Sequence, residues 1–331
     1  MVMQSPSSMA LALVAVAACG CIDIDLLDDM IPLDAGIEGA ADGDGDGDGD
    51  GDGDGDGDGD GPPATDPDDT APPEPQALSC ASDERVVDLI CIAEGPVSAS
   101  LRLATNEPAV VTVEAADPGL RAEVLSGAWS VEHHVVTVGF PAEGIQLTLA
   151  DVNGNEAEQT IGLSAGAGPP IAVTEVYADP AGPEPAQEFV EITNLGDESI
   201  DLSGWMIDDE GDANGNLLPA GTALDPGQSA LLVAPGFDPA CSDDPLPAPG
   251  AAIIYLSSSI GSNGLKNTAA ESIELYDGGG ALVSTYDGAA GKPAPGVSAF
   301  RILAEIPDGN PWAWVKSAAG GSTPGSVPTI D

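Results

Sequence analysis

Basic side chains are scarce in this sequence. Its 331 residues include 7 Lys and Arg against 56 Asp and Glu, which gives a formal net charge of −49. No part of the chain gathers the Lys and Arg that would neutralise several phosphates. We therefore expect no nucleic-acid partner.

The residue types that carry most metal and acid–base chemistry are also few. The two His, His133 and His134, are adjacent, and Cys19 with Cys21 is the one cysteine pair with close spacing among five Cys. The sequence has neither a Walker A loop nor a His-Glu-x-x-His motif. We therefore expect no enzyme and no cofactor, calcium excepted, and a carboxylate-based secreted hydrolase or its accessory subunit is the less favoured alternative.

An apolar run near the N-terminus is too short to cross a membrane. Met9–Ala18 would form about 15 Å of helix, against about 30 Å for a bilayer core. Residues 1–18 are therefore predicted to be an export signal peptide.

The end of this run resembles the lipobox of bacterial lipoproteins, because small residues at Val16–Ala18 precede Cys19. The resemblance implies that Cys19 is lipidated and that the membrane is a partner through this anchor. Gly20 after the cysteine implies the outer membrane of a Gram-negative bacterium, facing the periplasm or the cell surface. The alternative is ordinary cleavage, with Cys19 incidental.

Residues 19–77 are predicted to be a disordered acidic tether. Asp42–Gly61 is ten consecutive Asp-Gly pairs, which combine like-charge repulsion with high backbone freedom and no apolar side chain. A flexible chain of this length spans roughly 40–45 Å. In a strict two-residue repeat the twelfth position of an EF-hand loop is Gly rather than the required Glu, so the repeat is not an EF-hand.

Residues 78–165 show the short alternating runs and frequent turns of a β-sandwich. Ser98–Thr105 and Ala109–Ala115 are predicted as two strands separated by a turn at Asn106–Pro108. Ile145–Leu149 and Ile161–Leu163 are predicted as a hairpin around Asp151–Asn155. The pattern resembles bacterial immunoglobulin-like and fibronectin type III modules.

Two polar groups of this module are assigned structural roles. His133 and His134 are consecutive on a predicted strand, so their side chains point to opposite faces and cannot bind one ion together. A change in the apolar phase predicts a β-bulge at this pair. Asp151, Asn153 and Asn155 could supply oxygen ligands, but a hairpin turn is a sufficient explanation for them.

Cys80 and Cys91 are predicted to form a disulfide. The chain is predicted to be exported, and ten residues separate these two cysteines. Cys241 is expected to be unpaired or bonded outside the module.

The last part of the chain, residues 169–331, carries the most specific pattern. Three segments occur in order: IAVTEVY at Ile171–Tyr177, EFVEITN at Glu188–Asn194 and IDLSGW at Ile200–Trp205. They resemble the bacterial form of the lamin-tail domain. The resemblance implies an immunoglobulin-like β-sandwich and, in this family, an accessory role beside secreted enzymes.

The residues themselves add detail to this expectation. In the second segment Phe189 and Glu191 share one face and Val190 and Ile192 share the other; one face is predicted to be core and the other half-exposed. Trp205 is predicted to pack in the interior.

The module departs from the compact family pattern by two insertions, Asp208–Pro226 and Pro235–Gly250. Oxygen-bearing side chains recur at every second residue in the first insertion, which makes it the best candidate for a specific calcium site; a plain solvated turn is the alternative. The residues concerned are Asp208, Glu210, Asp212, Asn214 and Asn216.

The sequence thus predicts an all-β protein with two immunoglobulin-like sandwiches behind a signal peptide and a tether. The expected function is that of a non-catalytic cell-envelope lipoprotein whose modules contact envelope or extracellular proteins or glycans. A calcium-dependent structural or adhesive protein is the alternative.

Overall fold

The computed structural model describes residues 62–80, 84–85, 90–93, 95–114, 120–209, 215–261, 263–310 and 312–329, with the backbone alone at 84–85 and 90–92. These residues form strands, turns and loops, without any helix, so the predicted all-β class is confirmed. Within the same residues no helix exists that could span a membrane.

Eight strands build the middle module, and they pair only with one another in the described part of the chain. They are β1 (Pro75–Cys80), β2 (Glu84–Arg85), β3 (Ile90–Ile92), β4 (Ser98–Glu114), β5 (Arg121–Val124), β6 (Ser130–Val138), β7 (Ile145–Ala150) and β8 (Glu156–Ser164).

Strand β4 is the central strand of this module. Its first half pairs with β1 and β6, and its second half pairs with β7, so this one strand joins β1 and β6 to β7 in an eight-stranded sheet. The prediction of two strands with a turn at Asn106–Pro108 was wrong. The chain does not reverse there; the irregularity is a register shift in the β4–β6 pairing between Ala104 and Ala109.

Alternation along β4 and β7 places the core as predicted. Leu101 and Leu103 on β4, and Ile145, Leu147 and Leu149 on β7, are at most 1% exposed and belong to one apolar cluster. The β7–β8 hairpin is also confirmed, with Ile145 opposite Ile161.

Twelve strands build the C-terminal module. They are β9 (Ile171–Tyr177), β10 (Phe189–Asn194), β11 (Ile200–Asp201), β12 (Met206–Asp209), β13 (Asn216–Leu217), β14 (Ala223–Leu224), β15 (Ser229–Val233), β16 (Ala252–Tyr255), β17 (Ile273–Tyr276), β18 (Leu282–Tyr286), β19 (Ala299–Arg301) and β20 (Trp314–Lys316).

These strands form a six-stranded sheet in the order β16-β15-β10-β9-β19-β20 and a four-stranded sheet in the order β13-β12-β17-β18, with β11 and β14 paired separately. Apolar side chains from both larger sheets, such as Ile192 of β10 and Leu275 of β17, lie in one core cluster. Trp205 is buried at 7% exposure beside this core, as predicted.

Strand β10 corrects one expectation. All six of its residues are buried, rather than one face being half-exposed. Val190 and Ile192 lie in the main core, whereas Phe189 lies in a second apolar cluster with Tyr177 and Phe237. Loop and C-terminal residues cover the outer face, and local alternation carries no information about them.

The middle and C-terminal modules lie in one compact unit, Asp58–Asp331. Leu125, Val136 and Val138 of the middle module belong to the same apolar cluster as Ile306 of the C-terminal module. The core is therefore continuous between the two sets of strands, and their independence as domains stays a prediction.

Candidate functional site

Two carboxylates of the lamin-tail-like segments receive the C-terminal residues of the chain. Glu175 and Glu191 occupy facing positions on β9 and β10. The backbone N–H of Thr323 donates to Glu175 Oε1 at 3.1 Å, and the N–H of Gly325 donates to Glu191 Oε2. The hydroxyl of Thr174 donates to Glu191 Oε1 at 2.6 Å. Both acidic side chains therefore fix the C-terminal residues of the chain against β9 and β10.

The electrostatics of this pair are unusual because both carboxyl groups are at most 1% exposed. Burial, and secondly the neighbouring Glu175, raise the pKa of Glu191 to about 8. Burial also raises the pKa of Glu175. In the described part of the chain neither carboxylate belongs to an ion pair. A neutral pair or a single shared negative charge is the state that such a site favours.

A third buried carboxylate, Glu188, fixes a loop. Its Oε2 accepts a hydrogen bond of 2.7 Å from the backbone N–H of Leu265. Burial raises the pKa of Glu188 to about 7; the hydrogen bond opposes this shift, and the nearby Glu184 and Glu271 add to it. The residue thus acts as an internal anchor for the chain that leads into β17.

Arg301 is the hub of the C-terminal module. Its guanidinium is 1% exposed and donates to the backbone oxygens of Val173 and Ile306 and to Asp308. It also lies 5.2 Å from the centre of the Trp314 ring. Burial lowers the pKa of Arg301 to about 9. With its donors paired, this cation is bound within the fold and is not offered to a ligand.

Polar and aromatic contacts join the two modules. The rings of His134 and Trp312 have centroids 4.2 Å apart. Asn310 Nδ2 donates to Ser100 Oγ at 2.8 Å, and Ser98 Oγ donates to the Glu305 backbone oxygen at 2.5 Å. These residues would look like ordinary turn and strand positions in the sequence, which is why the interface was not predicted.

The two histidines are buried on β6, His133 at 0% and His134 at 3% exposure. His133 lies 3.4 Å from the hydroxyls of Thr105 and Ser126, whereas His134 meets Trp312 of the other module. The predicted bulge at this pair is wrong, because β6 keeps regular pairing with β4 there. Apolar residues follow each other on β6 because both of its faces are covered.

The Asp151 turn is confirmed as a hairpin turn. Asp151 Oδ1 accepts from the backbone N–H groups of Asn153 and Asn155, both at 2.8 Å, and Gly154 has a φ of 85°. Such a positive φ favours glycine.

Three carboxylates meet beside this turn. The ligand oxygens of Asp69, Glu107 and Asp151 lie within 4.8 Å of one another. Burial first, then the charges of Asp69 and Asp151, raise the pKa of Glu107. Sequence reasoning missed this cluster because its members are 38 or more positions apart along the chain. Asp151 already holds the turn through its hydrogen bonds, and acidic groups near a protein surface commonly lie together without an ion.

The calcium candidate lies on a β-hairpin that the structure describes in part. Asp208 belongs to β12 and is 1% exposed, and Asn216 begins β13, where its amide donates to Ser258 Oγ at 2.7 Å. Glu210, Asp212 and Asn214 lie outside the described residues. The run from Asp208 to Asn216 is therefore strand-paired at both ends, and calcium binding stays a prediction.

The cysteine predictions have three outcomes. Cys19 lies outside the described residues. Cys80 ends β1 and is buried, and β1 contacts β3, which carries Cys91; since the Cys91 side chain is not described, the pairing stays a prediction. Cys241 is a free thiol 3.8 Å from Asp244 Oδ2.

One serine stands in the Gly-x-Ser-x-Gly spacing of a hydrolase nucleophile. Ser164, between Gly162 and Gly166, ends β8, where it pairs with Ile92 of β3. A nucleophile elbow requires a sharp turn from a strand into a helix. The residues described after Ser164 lead to β9 instead, and both histidines are buried elsewhere, so this motif does not form a catalytic site here.

Two depressions in the described surface have room for about 20 Å³ and about 10 Å³. These volumes correspond to about one water molecule each. Tyr177 and Asp244 line the smaller depression, where the Tyr177 hydroxyl donates to Asp244 Oδ1 at 2.8 Å. Neither depression can enclose a substrate.

Comparisons with known proteins point to one family for part of the chain. Residues 164–288 match the family model of the Lamin Tail Domain, which confirms the predicted resemblance for that stretch. The crystal structure of a DUF4876 family protein from Bacteroides thetaiotaomicron is similar, at 12% sequence identity and a TM-score of 0.29, over 77% of this chain and 96% of that one. The search of curated proteins found no match.

The lamin-tail match ends before the module does. Strands β19 and β20, at 299–316, extend the six-stranded sheet through the pairing of β19 with β9. The residues that contact Glu175 and Glu191 come later still, at 323–325. The matched segment therefore depends on a C-terminal region outside the match.

Proposed function

We propose that this protein is a non-catalytic lipoprotein of the outer membrane. The lipid on Cys19 anchors it, the acidic tether extends the folded part away from the membrane, and the two joined β-modules contact envelope or extracellular proteins or glycans.

The proposal rests on one observation: the buried acidic side chains and the buried arginine bind groups of the protein itself. The buried carboxylates Glu175, Glu188 and Glu191 each accept a backbone N–H, and Arg301 binds backbone oxygens and Asp308. Ligand pockets usually enclose 300–1,000 Å³, whereas the larger depression here has room for about 20 Å³. These polar groups stabilise loops on a rigid β-framework instead of facing a ligand pocket. This supports a role in which the modules present their surface to partners.

Membrane fractionation tests the anchor. We expect full-length protein expressed in a Gram-negative host to sediment with outer membranes and Cys19→Ser to lose that association. Cys21→Ser is the matched control, since it removes a neighbouring thiol outside the lipobox. Recovery of wild type in the soluble fraction, or of Cys19→Ser still in the membrane, would contradict the proposal.

A second experiment tests the contact role. Full-length protein in outer-membrane preparations would be cross-linked and its covalent neighbours identified. We expect reproducible neighbours of the full-length protein. These neighbours should disappear when the membranes carry instead a control protein with the same anchor and tether but an unrelated folded part. Cross-links confined to the tether would contradict a role for the β-modules.

A further inference from the structure

Four apolar side chains form a line across the four-stranded sheet, one from each strand. In the register of the sheet each of them is the direct partner of the next. In order they are Leu217 on β13, Met206 on β12, Tyr276 on β17 and Leu282 on β18. We call this set the apolar row. Directly paired residues of antiparallel strands point to the same face, and three strand spacings make the row about 14 Å long.

The apolar row faces away from the core of the module. Ile207 and Leu275, the chain neighbours of Met206 and Tyr276, are 0% exposed and lie in the core cluster, so the row is on the opposite face. Leu217 and Leu282 at its ends are 62% and 55% exposed, and the two side chains between them are half-buried. An antiparallel sheet normally has polar side chains on the face that meets water. A continuous apolar line there is typical of a contact surface.

The surroundings of the apolar row are acidic. The segments that carry it, Met206–Leu217 and Ile273–Tyr286, contain four and two Asp and Glu respectively, and neither contains Lys or Arg. On β17 and the turn after it, the row lies between Glu274 and Asp277, both half-buried. The Tyr276 hydroxyl donates to Glu274 Oε2, so it is used within the protein. The surface therefore combines an apolar line with a negative potential that attracts cations.

We propose that the apolar row binds an amphipathic polypeptide segment whose apolar stripe is flanked by Lys and Arg. The stripe covers the four side chains of the row, and the flanking cations lie near Glu274 and Asp277. A helix of about ten residues is about 15 Å long, which matches the length of the row. This inference rests on the proposed contact role of the modules, for which it names a surface and a class of partner.

The charge of the chain separates this occupant from others. A second copy would bring together two proteins of net charge −49, with the same acidic segments in contact. An anionic lipid or polysaccharide surface would be repelled for the same reason. A neutral glycan requires hydrogen-bonding groups, whereas the hydroxyl of the row already donates to Glu274. A cationic amphipathic segment satisfies both the apolar line and the acidic surroundings.

Peptide binding tests the proposal. The full chain is produced with Cys19→Ser, so that it needs no detergent, and serves as the reference protein. The probe is a synthetic helix of about 14 residues with Leu along one face and Lys on the other. A peptide of equal charge with Ser in place of Leu measures binding to the acidic tether. At physiological ionic strength we expect the Leu peptide to bind more tightly; equal affinity of the two peptides would overturn the proposal.

Variants assign the binding to the apolar row. Leu217→Ser and Leu282→Ser should each weaken binding of the Leu peptide about fivefold, because each removes apolar surface that the peptide covers. Leu246→Ser is the matched control, since Leu246 is 64% exposed and lies between β15 and β16, outside the row. Unchanged affinity in Leu217→Ser/Leu282→Ser, with an unchanged melting temperature, or an equal loss in Leu246→Ser, would overturn the assignment.

Glu274→Gln tests the charge requirement. It should weaken binding of the Leu peptide and reduce the dependence of the affinity on salt, because one carboxylate beside the row is lost. If the affinity and its salt dependence both stay the same, the partner does not need flanking cations and the proposed class is wrong.

Sedimentation of the reference protein tests the second copy. We expect a monomer; self-association that Leu217→Ser/Leu282→Ser abolishes would assign the row to a dimer and overturn the proposal. Failure of the peptide experiments would leave the fractionation of Cys19→Ser and the cross-linked neighbours of the modules unaffected. The inference and the proposed function can therefore fail separately.

Discussion

Glu175 and Glu191 face each other across β9 and β10 with both carboxyl groups buried, and each accepts a backbone N–H from residues 323–325. The two acidic positions of the lamin-tail-like segments are thus joined to the C-terminal residues. An internal pair of this kind makes stability depend on pH.

The first prediction concerns Glu191. Its pKa rises from 4.5 to about 8 on folding, so the unfolded chain loses this proton first as pH rises. Stability should therefore fall between about pH 4.5 and about pH 8, by several kcal/mol in all, at about 1.4 kcal/mol per pKa unit. Glu191→Gln should reduce this dependence to the part that the raised pKa of Glu175 leaves, and it should be more stable than wild type at pH 8.

Urea unfolding at pH 4.5, 6 and 8 measures the effect, because these values span the rise in the pKa of Glu191. Exposed Glu198→Gln is the matched control and should follow wild type. A Glu191→Gln protein that loses stability with pH as steeply as wild type would show that the buried pair is not the cause.

The second prediction concerns Arg301. Arg301→Ala leaves Asp308 and two backbone oxygens without their donor, which should cost about 3–5 kcal/mol of unfolding free energy. Exposed Arg102→Ala should change stability by about 1 kcal/mol or less. Thermal and urea denaturation of both variants provide the comparison, and similar losses for the two would refute the role of Arg301 as a hub.

The third prediction concerns the joint between the modules. Burial first, and then Arg102 and His133, lower the pKa of His134 from 6.5 to about 4, although Glu132 opposes the shift. The unfolded chain therefore takes up this proton first, and stability should fall as pH drops from about 6.5 to 4. At pH 4 the loss is on the order of 2–3 kcal/mol.

His134→Phe should keep the ring contact with Trp312 and lose this part of the acid sensitivity. Denaturant unfolding from pH 7 down to pH 4, followed by tryptophan fluorescence, measures the difference from wild type. The same acid loss in both proteins would place the sensitive group elsewhere.

The fourth prediction is the covalent one. We expect a Cys80–Cys91 disulfide, which closes a loop of about a dozen residues and stabilises by roughly 2–3 kcal/mol in the chain-entropy model. Cys241 should react with iodoacetamide without prior reduction. Peptide mapping under non-reducing conditions checks both statements, and a peptide that links Cys241 to Cys80 or Cys91 would refute the assignment.

The fifth prediction decides between a calcium site and a plain turn at 208–216. If calcium binds there, it should raise the melting temperature of wild type more than that of Asp212→Asn, because binding stabilises the native state. The full chain is needed because the modules share a core. Asp44→Asn in the tether is the charge-matched control, and equal melting curves with calcium and with EGTA would exclude the site.

Much of the fold followed from local patterns. The alternation in Ile145–Leu149 fixed a hairpin strand, and Trp205 was placed in the core correctly. Local patterns failed where a strand has two covered faces. On β6 and β10 the residues that cover the second face come from distant parts of the chain. Alternation of apolar and polar residues shows only which face meets water, so it does not reveal a strand that is covered on both faces.

Much less of the site was predictable. The segment IAVTEVY contains Glu175, but nothing near it in sequence shows that Thr323 is its partner. The hydrogen bond from Lys316 Nζ to the Lys292 backbone oxygen likewise joins positions 24 residues apart. Such groupings depend on which loops the sheets bring together, so spacing along the chain does not reveal them.

The sequence by itself determined the β class, the lamin-tail resemblance and the scarcity of cations, because composition and short-range periodicity are properties of the chain. Only the tertiary structure decided that acidic motif residues are internal anchors and that the two modules share one core. Burial and the local charge balance set these roles, and both arise from contacts between residues that are distant in sequence.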